Sequence, residues 1–137
     1  MLMSKGPTVE ASTVNLPTTA TTTILTMIPP GSRLAQVPGT GNDLLSSPNT
    51  EISGILNYTA GTGATALNIS CLDNNGITIG PVCNVTVVAA TNYQLPFSFH
   101  DPSGTTQKTA YMLRVAQVAA TGNGTVNYVN GSVKTDG

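Results

Sequence analysis

The feature that most constrains this chain is the spacing of its turn formers. Pro29-Pro30-Gly31, Pro38-Gly39-Thr40-Gly41-Asn42, Gly61-Thr62-Gly63, Asp73-Asn74-Asn75-Gly76 and Gly122-Asn123-Gly124 cut it into short runs. The runs recur at intervals of roughly ten residues, and no window longer than about ten repeats with the 3.6 period of a helix. Residues 109–120 are the one helical temptation, and the valines there with Gly122-Asn123-Gly124 behind them favour a strand.

Between the turns the pattern alternates with period two. Leu67, Ile69 and Cys71 fall on one side and Asn68 and Ser70 on the other; Cys83, Val85 and Val87 oppose Asn84 and Thr86. Leu95, Phe97 and Phe99 share a face, as do Tyr111, Leu113 and Val115, with Arg114 outward. Strands are expected over 22–28, 33–37, 52–59, 64–72, 82–90, 95–99, 108–118 and 125–133, with a long loop over 38–50. Short strands at regular spacing predict an all-β fold, a two-sheet antiparallel sandwich of jelly-roll type. An immunoglobulin-type sandwich would carry a Trp between two distant Cys; this chain has no Trp and its two Cys lie close together. Residues 24–137 are expected to form one β-sandwich domain. Residues 1–23, with Pro7, Pro17 and the run Thr18-Thr19-Ala20-Thr21-Thr22-Thr23, are expected to be an extended N-terminal arm separable from it.

Charge narrows the function classes. Of 137 residues only 8% are charged, with a net charge of −1, and Thr is the commonest residue at 22; an average soluble domain is roughly 25% charged. Five scattered cations leave no electrostatic footprint for a nucleic acid. Two Cys and one His cannot close a four-ligand zinc site. The longest apolar run is too short to span a membrane as a helix. Met1-Leu2-Met3-Ser4-Lys5-Gly6-Pro7 lacks the apolar core of a signal peptide, so the chain is expected to be made in a cytoplasm or to have been trimmed beforehand. A surface this neutral is poorly protected against self-association, and suits a molecule whose outside packs against other subunits.

Each candidate site has a plain structural reading beside it. Cys71 and Cys83 could form a disulfide if residues 73–81 make a wide loop, or be two buried thiols. A tight hairpin at Asn74-Asn75 would instead bring Cys71 near residue 78. His100-Asp101 reads as a strand-end turn with Asp101 capping the backbone. Glu10, Asp43, Glu51, Asp73, Asp101 and Asp136 are dispersed, and nothing selects a catalytic pair. Asp73-Asn74-Asn75-Gly76 is a turn rather than a Ca²⁺ loop, and the Gly-Thr-Gly turns lack the Lys-Ser/Thr of a phosphate loop. Tyr58, Tyr93, Tyr111 and Tyr128 could stack on a sugar. Five Asn-X-Ser/Thr triplets, at Asn57, Asn68, Asn84, Asn123 and Asn130, are close to what an Asn- and Thr-rich composition produces by chance. No catalytic residue, metal or cofactor is expected.

Thr59-Ala60-Gly61-Thr62-Gly63, Thr109-Ala110-Tyr111-Met112-Leu113-Arg114-Val115 and Ala120-Thr121-Gly122-Asn123-Gly124-Thr125-Val126 carry a resemblance in style across residues 20–133. With them the chain resembles small β-sandwich structural proteins of virions, the capsid-decorating and spike or fibre-head proteins of tailed phages. That resemblance implies a non-enzymatic decoration or cementing protein in the virion. It implies a homo-oligomer, a trimer by preference, whose partners are its own copies and a major capsid protein. Thr8, Val9, Val14, Leu16, Ile24 and Leu25 are then the candidate assembly arm. A receptor- or glycan-binding head, and a filament subunit donating residues 8–28 as a strand, are the alternatives.

Overall fold

The structure, a computed structural model, describes residues 3–30, 50–102 and 108–136. The strand expected over 33–37 and almost all of the loop expected over 38–50, Asp43 included, lie outside the described residues. Nine strands and no helix are described: β1 (Met3–Lys5), β2 (Val9–Leu16), β3 (Thr22–Met27), β4 (Thr50–Thr59), β5 (Ala66–Asp73), β6 (Cys83–Thr86), β7 (Asn92–Asp101), β8 (Tyr111–Val118) and β9 (Gly124–Asp136).

They form two antiparallel sheets. The larger runs β2-β9-β4-β7, with β1 continuing the β2 edge along the 13-residue β9; the smaller runs β3-β8-β5-β6. Pairing proceeds from the outside in: β2 with β9, β3 with β8, β4 with β7, β5 with β6. The chain is thus one long hairpin rolled up, and the β4–β9 and β5–β8 pairings close the roll. This is the jelly-roll order that manages sheet edges by wrapping two Greek keys around one core.

Most of the expected inward residues line that core; Cys83, expected to face inward, is exposed, and Val85 and Leu95 are only partly buried. Leu67, Ile69 and Cys71 of β5, Tyr111, Leu113 and Val115 of β8, and Phe97 and Phe99 of β7 are buried against Ile52, Leu56 and Tyr58 of β4 and Val126, Val129 and Val133 of β9. At the centre, Phe97, Gly54 and Gly131 are neighbours across three strands. Their missing side chains leave room for the Phe97 ring and for Leu25 and Met27 of the opposite sheet.

Most strand ends differ from expectation by one to three residues, and two differences are larger. β6 stops at Thr86 instead of reaching residue 90, because Val87 turns inward, Val88 points out, and Ala90 takes a left-handed φ of 57°. Residues 3–5 and 9–16 are strands of the larger sheet, hydrogen-bonded to β9 of their own chain.

Candidate functional site

One end of the sandwich holds a buried charged cluster. Asp73 closes β5, Asp101 closes β7, and Lys108 stands three residues before β8. Their relative exposures are 0%, 1% and 4%. The Lys108 Nζ is in direct contact with Asp73 Oδ2 and lies 3.8 Å from Asp101 Oδ2. Tyr111 donates its hydroxyl proton to Asp101 Oδ2 at 2.6 Å. The backbone N–H groups of Asn75 and Ile77 donate to Asp73 Oδ1 at 2.8 and 2.9 Å. Burial pushes the Asp73 carboxyl up, but the Lys108 hydrogen bond and the Ile77 and Asn75 N–H groups outweigh it and hold the group below the usual carboxylate range. Beside it, burial, with the Asp101 and Asp73 charges adding to it, pushes the Cys71 thiol up to about 12.

Local sequence explains the placement. Gly76 takes a φ of 78° and its N–H donates to the Asp73 carbonyl, closing the expected turn. Asp101 is buried because it continues the inward alternation of Phe97 and Phe99, whereas His100 faces out, opposite Glu51 on β4. The two side chains therefore leave opposite faces of β7 and form no joint site. In the sequence Asp73 and Asp101 carry only turn signals, and nothing local singles out Lys108.

The other end is tied by an uncharged hub. Gln117 Oε1 accepts from the Tyr58 hydroxyl at 2.5 Å and from Gly61 N–H at 2.8 Å, and its Nε2 donates to the carbonyls of Thr18 and Gly122. Burial pushes the Tyr58 hydroxyl up to about 12. The tyrosines make no stacking platform. Tyr58 and Tyr111 are fully buried, Tyr93 accepts from Val88 N–H, and Tyr128 donates to Glu10.

In the structure Cys71 and Cys83 are free thiols, the second of the two alternatives their spacing left open. The Asp73–Gly76 turn holds Ile79 N–H on the Cys71 carbonyl, so the chain leaves β5 as a tight hairpin. The chain then bulges at Gly80 and Pro81, and Cys83 rejoins the sheet opposite Ile69, two positions from Cys71. Cys71 is buried and Cys83 exposed. Of the arm residues, Leu16, Ile24 and Leu25 are in the core of their own chain. Val9 and Val14 pack partly buried against that core, and Thr8 is exposed.

The exposed surface is where assembly chemistry can act. β6 is an edge strand, and among the described residues nothing pairs its outer side. Two of the exposed large apolar residues, Val82 and Val88, at 51% and 66% exposure, stand just before and just after it in the chain, and Ile77 in the turn after β5 is exposed at 59%. On the larger sheet, a shallow depression is lined by Asn57, Asn92, Tyr93, Gln94 and Asn127. There Asn127 donates to Thr59 Oγ1, which donates to Asn92 Oδ1.

No protein-family model matches the chain, and no curated protein matches it in sequence. Solved structures do match it in fold. A chain of the infectious bursal disease virus T13 viral particle superposes with TM-score 0.65 at 14% identity, over 98% of this chain and 31% of that one. T=1 particles derived from that virus give TM-score 0.54 at 13% identity, over 99% and 32%. Dimeric latent PorU from Porphyromonas gingivalis gives 0.50 at 11%, over 98% and 13%. This chain spans about a third or less of the length of each, and what it shares with a part of each is the β fold.

Proposed function

We propose that this protein is a structural component of a virion, and within that class a capsid decoration or cementing protein that works as a homo-oligomer, a trimer by preference. The observation that carries the reading is the whole-chain likeness to subunits of a virus particle. Two properties of the surface support it. The low charge costs little where neighbours cover the outside. The open β6 edge, flanked by Val82 and Val88, offers backbone pairing and apolar burial to a second copy. In this reading the chain is not an enzyme, takes no cofactor and is located in the virion.

The test is the native mass and symmetry of the purified protein, by light scattering and electron microscopy. Small closed oligomers that revert to monomers in Val82→Lys/Val88→Lys fit decoration. Self-assembled shells would replace decoration with a shell role, and a monomer at every concentration would overturn the reading.

The depression over Asn57, Asn92, Gln94 and Asn127 supports a second reading, a glycan-binding head. Carboxamides both donate and accept, as sugar hydroxyls require. A glycan array expects hits that vanish in Asn57→Ala/Gln94→Ala, and an array without hits removes this reading.

A further inference from the structure

We propose that Lys108 and Asp73 form an intramolecular amide bond, closed by the fold itself with Asp101 as proton relay. Four features of the buried cluster converge on that chemistry. The nucleophile and the carbonyl carbon belong to side chains already in contact and almost without exposed surface, in the wall of a pocket that Ile77, Ile79 and Pro102 also line. Holding reactants at such distance removes most of the entropic barrier to condensation. Asp73 Oδ1 accepts from two backbone N–H groups, of Asn75 and Ile77, which are aimed where an oxyanion would form. A second carboxylate, Asp101, lies 3.8 Å from the Lys108 Nζ. The Tyr111 hydroxyl holds Asp101 in place from the side.

The atoms balance without any further reactant. The pair begins as ammonium and carboxylate, and one proton crosses their contact to Asp73 Oδ2, giving amine and acid. Burial works toward that transfer by disfavouring both charged forms, while the Lys108 contact and the two N–H groups, which hold the Asp73 carboxyl below its usual range, work against it, so the neutral pair is the minor form from which the reaction proceeds. The Nζ lone pair then attacks Cγ of Asp73, and negative charge develops on Oδ1 against the two N–H groups. Asp101 takes a proton from the nitrogen and returns it to the Oδ2 hydroxyl, which leaves as water. The N–Cγ bond forms, the Cγ–Oδ2 bond breaks, Asp101 ends as it began, and no electrons are transferred to or from an outside partner. The bond ties the end of β5 to the segment entering β8.

Intact mass under denaturing conditions tests the proposal on the wild-type chain. The expected result is a mass one water below that of the sequence. Trypsin is expected to leave residues 34–114 as one peptide, since an acylated Lys108 is not cut. Fragmentation of that peptide is expected to place the lost water between Asp73 and Lys108, which separates it from cyclisation at Asp136-Gly137. Lys108→Arg and Asp101→Asn should both retain the full sequence mass. In Asp73→Asn, ammonia rather than water should be lost if the bond still closes. Wild-type protein at full sequence mass, with free cleavage after Lys108, would overturn the proposal. An Asp101→Asn chain that still loses water at this site would remove Asp101 from the step.

Discussion

Gly54 and Gly131 face each other across β4 and β9, and the two are not equally replaceable. A Cβ on Gly54 would lie 1.8 Å from the backbone oxygen of Asn130 and 2.7 Å from Gly131 Cα, so the sheet itself must move. A Cβ on Gly131 would meet Met27 Sδ at 2.8 Å and the Phe97 ring at 3.0 Å, both side chains that can shift. Overpacking of this kind costs about 1–3 kcal/mol. Gly54→Ala is expected at or above the upper end and Gly131→Ala below it, read from the midpoints of urea unfolding. The thiols differ as sharply. Burial holds the Cys71 thiol protonated and out of reach, while Cys83 is exposed. Iodoacetamide on the folded protein at neutral pH should therefore label one of the two cysteines, and peptide mapping should find it at Cys83; labelling of Cys71 at a similar rate would mean that this end of the sandwich opens. Asp73 gives an acid signature in the Asp101→Asn chain, where the proposed amide does not close. Its folded pKa lies below its ordinary value. A depressed pKa contributes stability that is full above the unfolded value of about 3.9 and is lost as pH falls through the folded one. Asp101→Asn should lose stability on acidification below that value, by a component that the wild-type chain, its Asp73 spent in an amide, lacks.

At the scale of the element, legibility followed regularity. β5 and β8 were readable because each alternates without a break, Leu67-Ile69-Cys71 against Asn68-Ser70 and Tyr111-Leu113-Val115 against Arg114. β2 was hidden because its inward set runs Val9, Ala11, then Val14 and Leu16, slipping by one residue at Thr13, whose φ is 54°. Across from it β9 slips in the same place, from Val126 to Val129. A broken period next to a Thr-rich run reads as an arm when it is a strand. The charged cluster escaped for another reason. Asp73 and Lys108 are 35 residues apart, and only the rolled topology brings the ends of β5 and β7 to the start of β8. No local pattern announces that meeting. The strand assignment of β2 has a consequence for truncation. Removing residues 1–20 strips β1 and β2 from β9 and takes Leu16, 1% exposed, out of the core; burial of one such side chain is worth about 1.5–3 kcal/mol. The fragment is expected to lose its cooperative thermal transition, while removal of residues 1–7, which takes only β1, leaves one. A 21–137 fragment melting like the full chain would mean that β2 is dispensable to the sandwich.

At the scale of the whole molecule, the scarcity of charge and the rolled topology belong together. A jelly roll pairs its first long strand with its last, so Glu10 meets Asn130, and most contacts wait on distant partners. Such topologies fold slowly and expose strand edges while they do so. Charges on edge strands are the usual protection, yet β6 carries none in Cys83-Asn84-Val85-Thr86, and Val82 and Val88 beside it are exposed. An edge left bare in this way suits a molecule that uses it. The forces available there are backbone hydrogen bonding and apolar burial, neither of which is screened by salt, whereas contacts between exposed charges fade beyond a Debye length of about 10 Å at 0.1 M. The association constant of this protein is therefore expected to stay level or strengthen as sodium chloride is raised from low to high concentration, measured by sedimentation equilibrium. Val82→Lys/Val88→Lys should weaken association at every salt concentration. An association that collapses with rising salt would move the contact away from the β6 edge to the few charged residues, Glu10, Glu51, Arg114 and Lys134 among them.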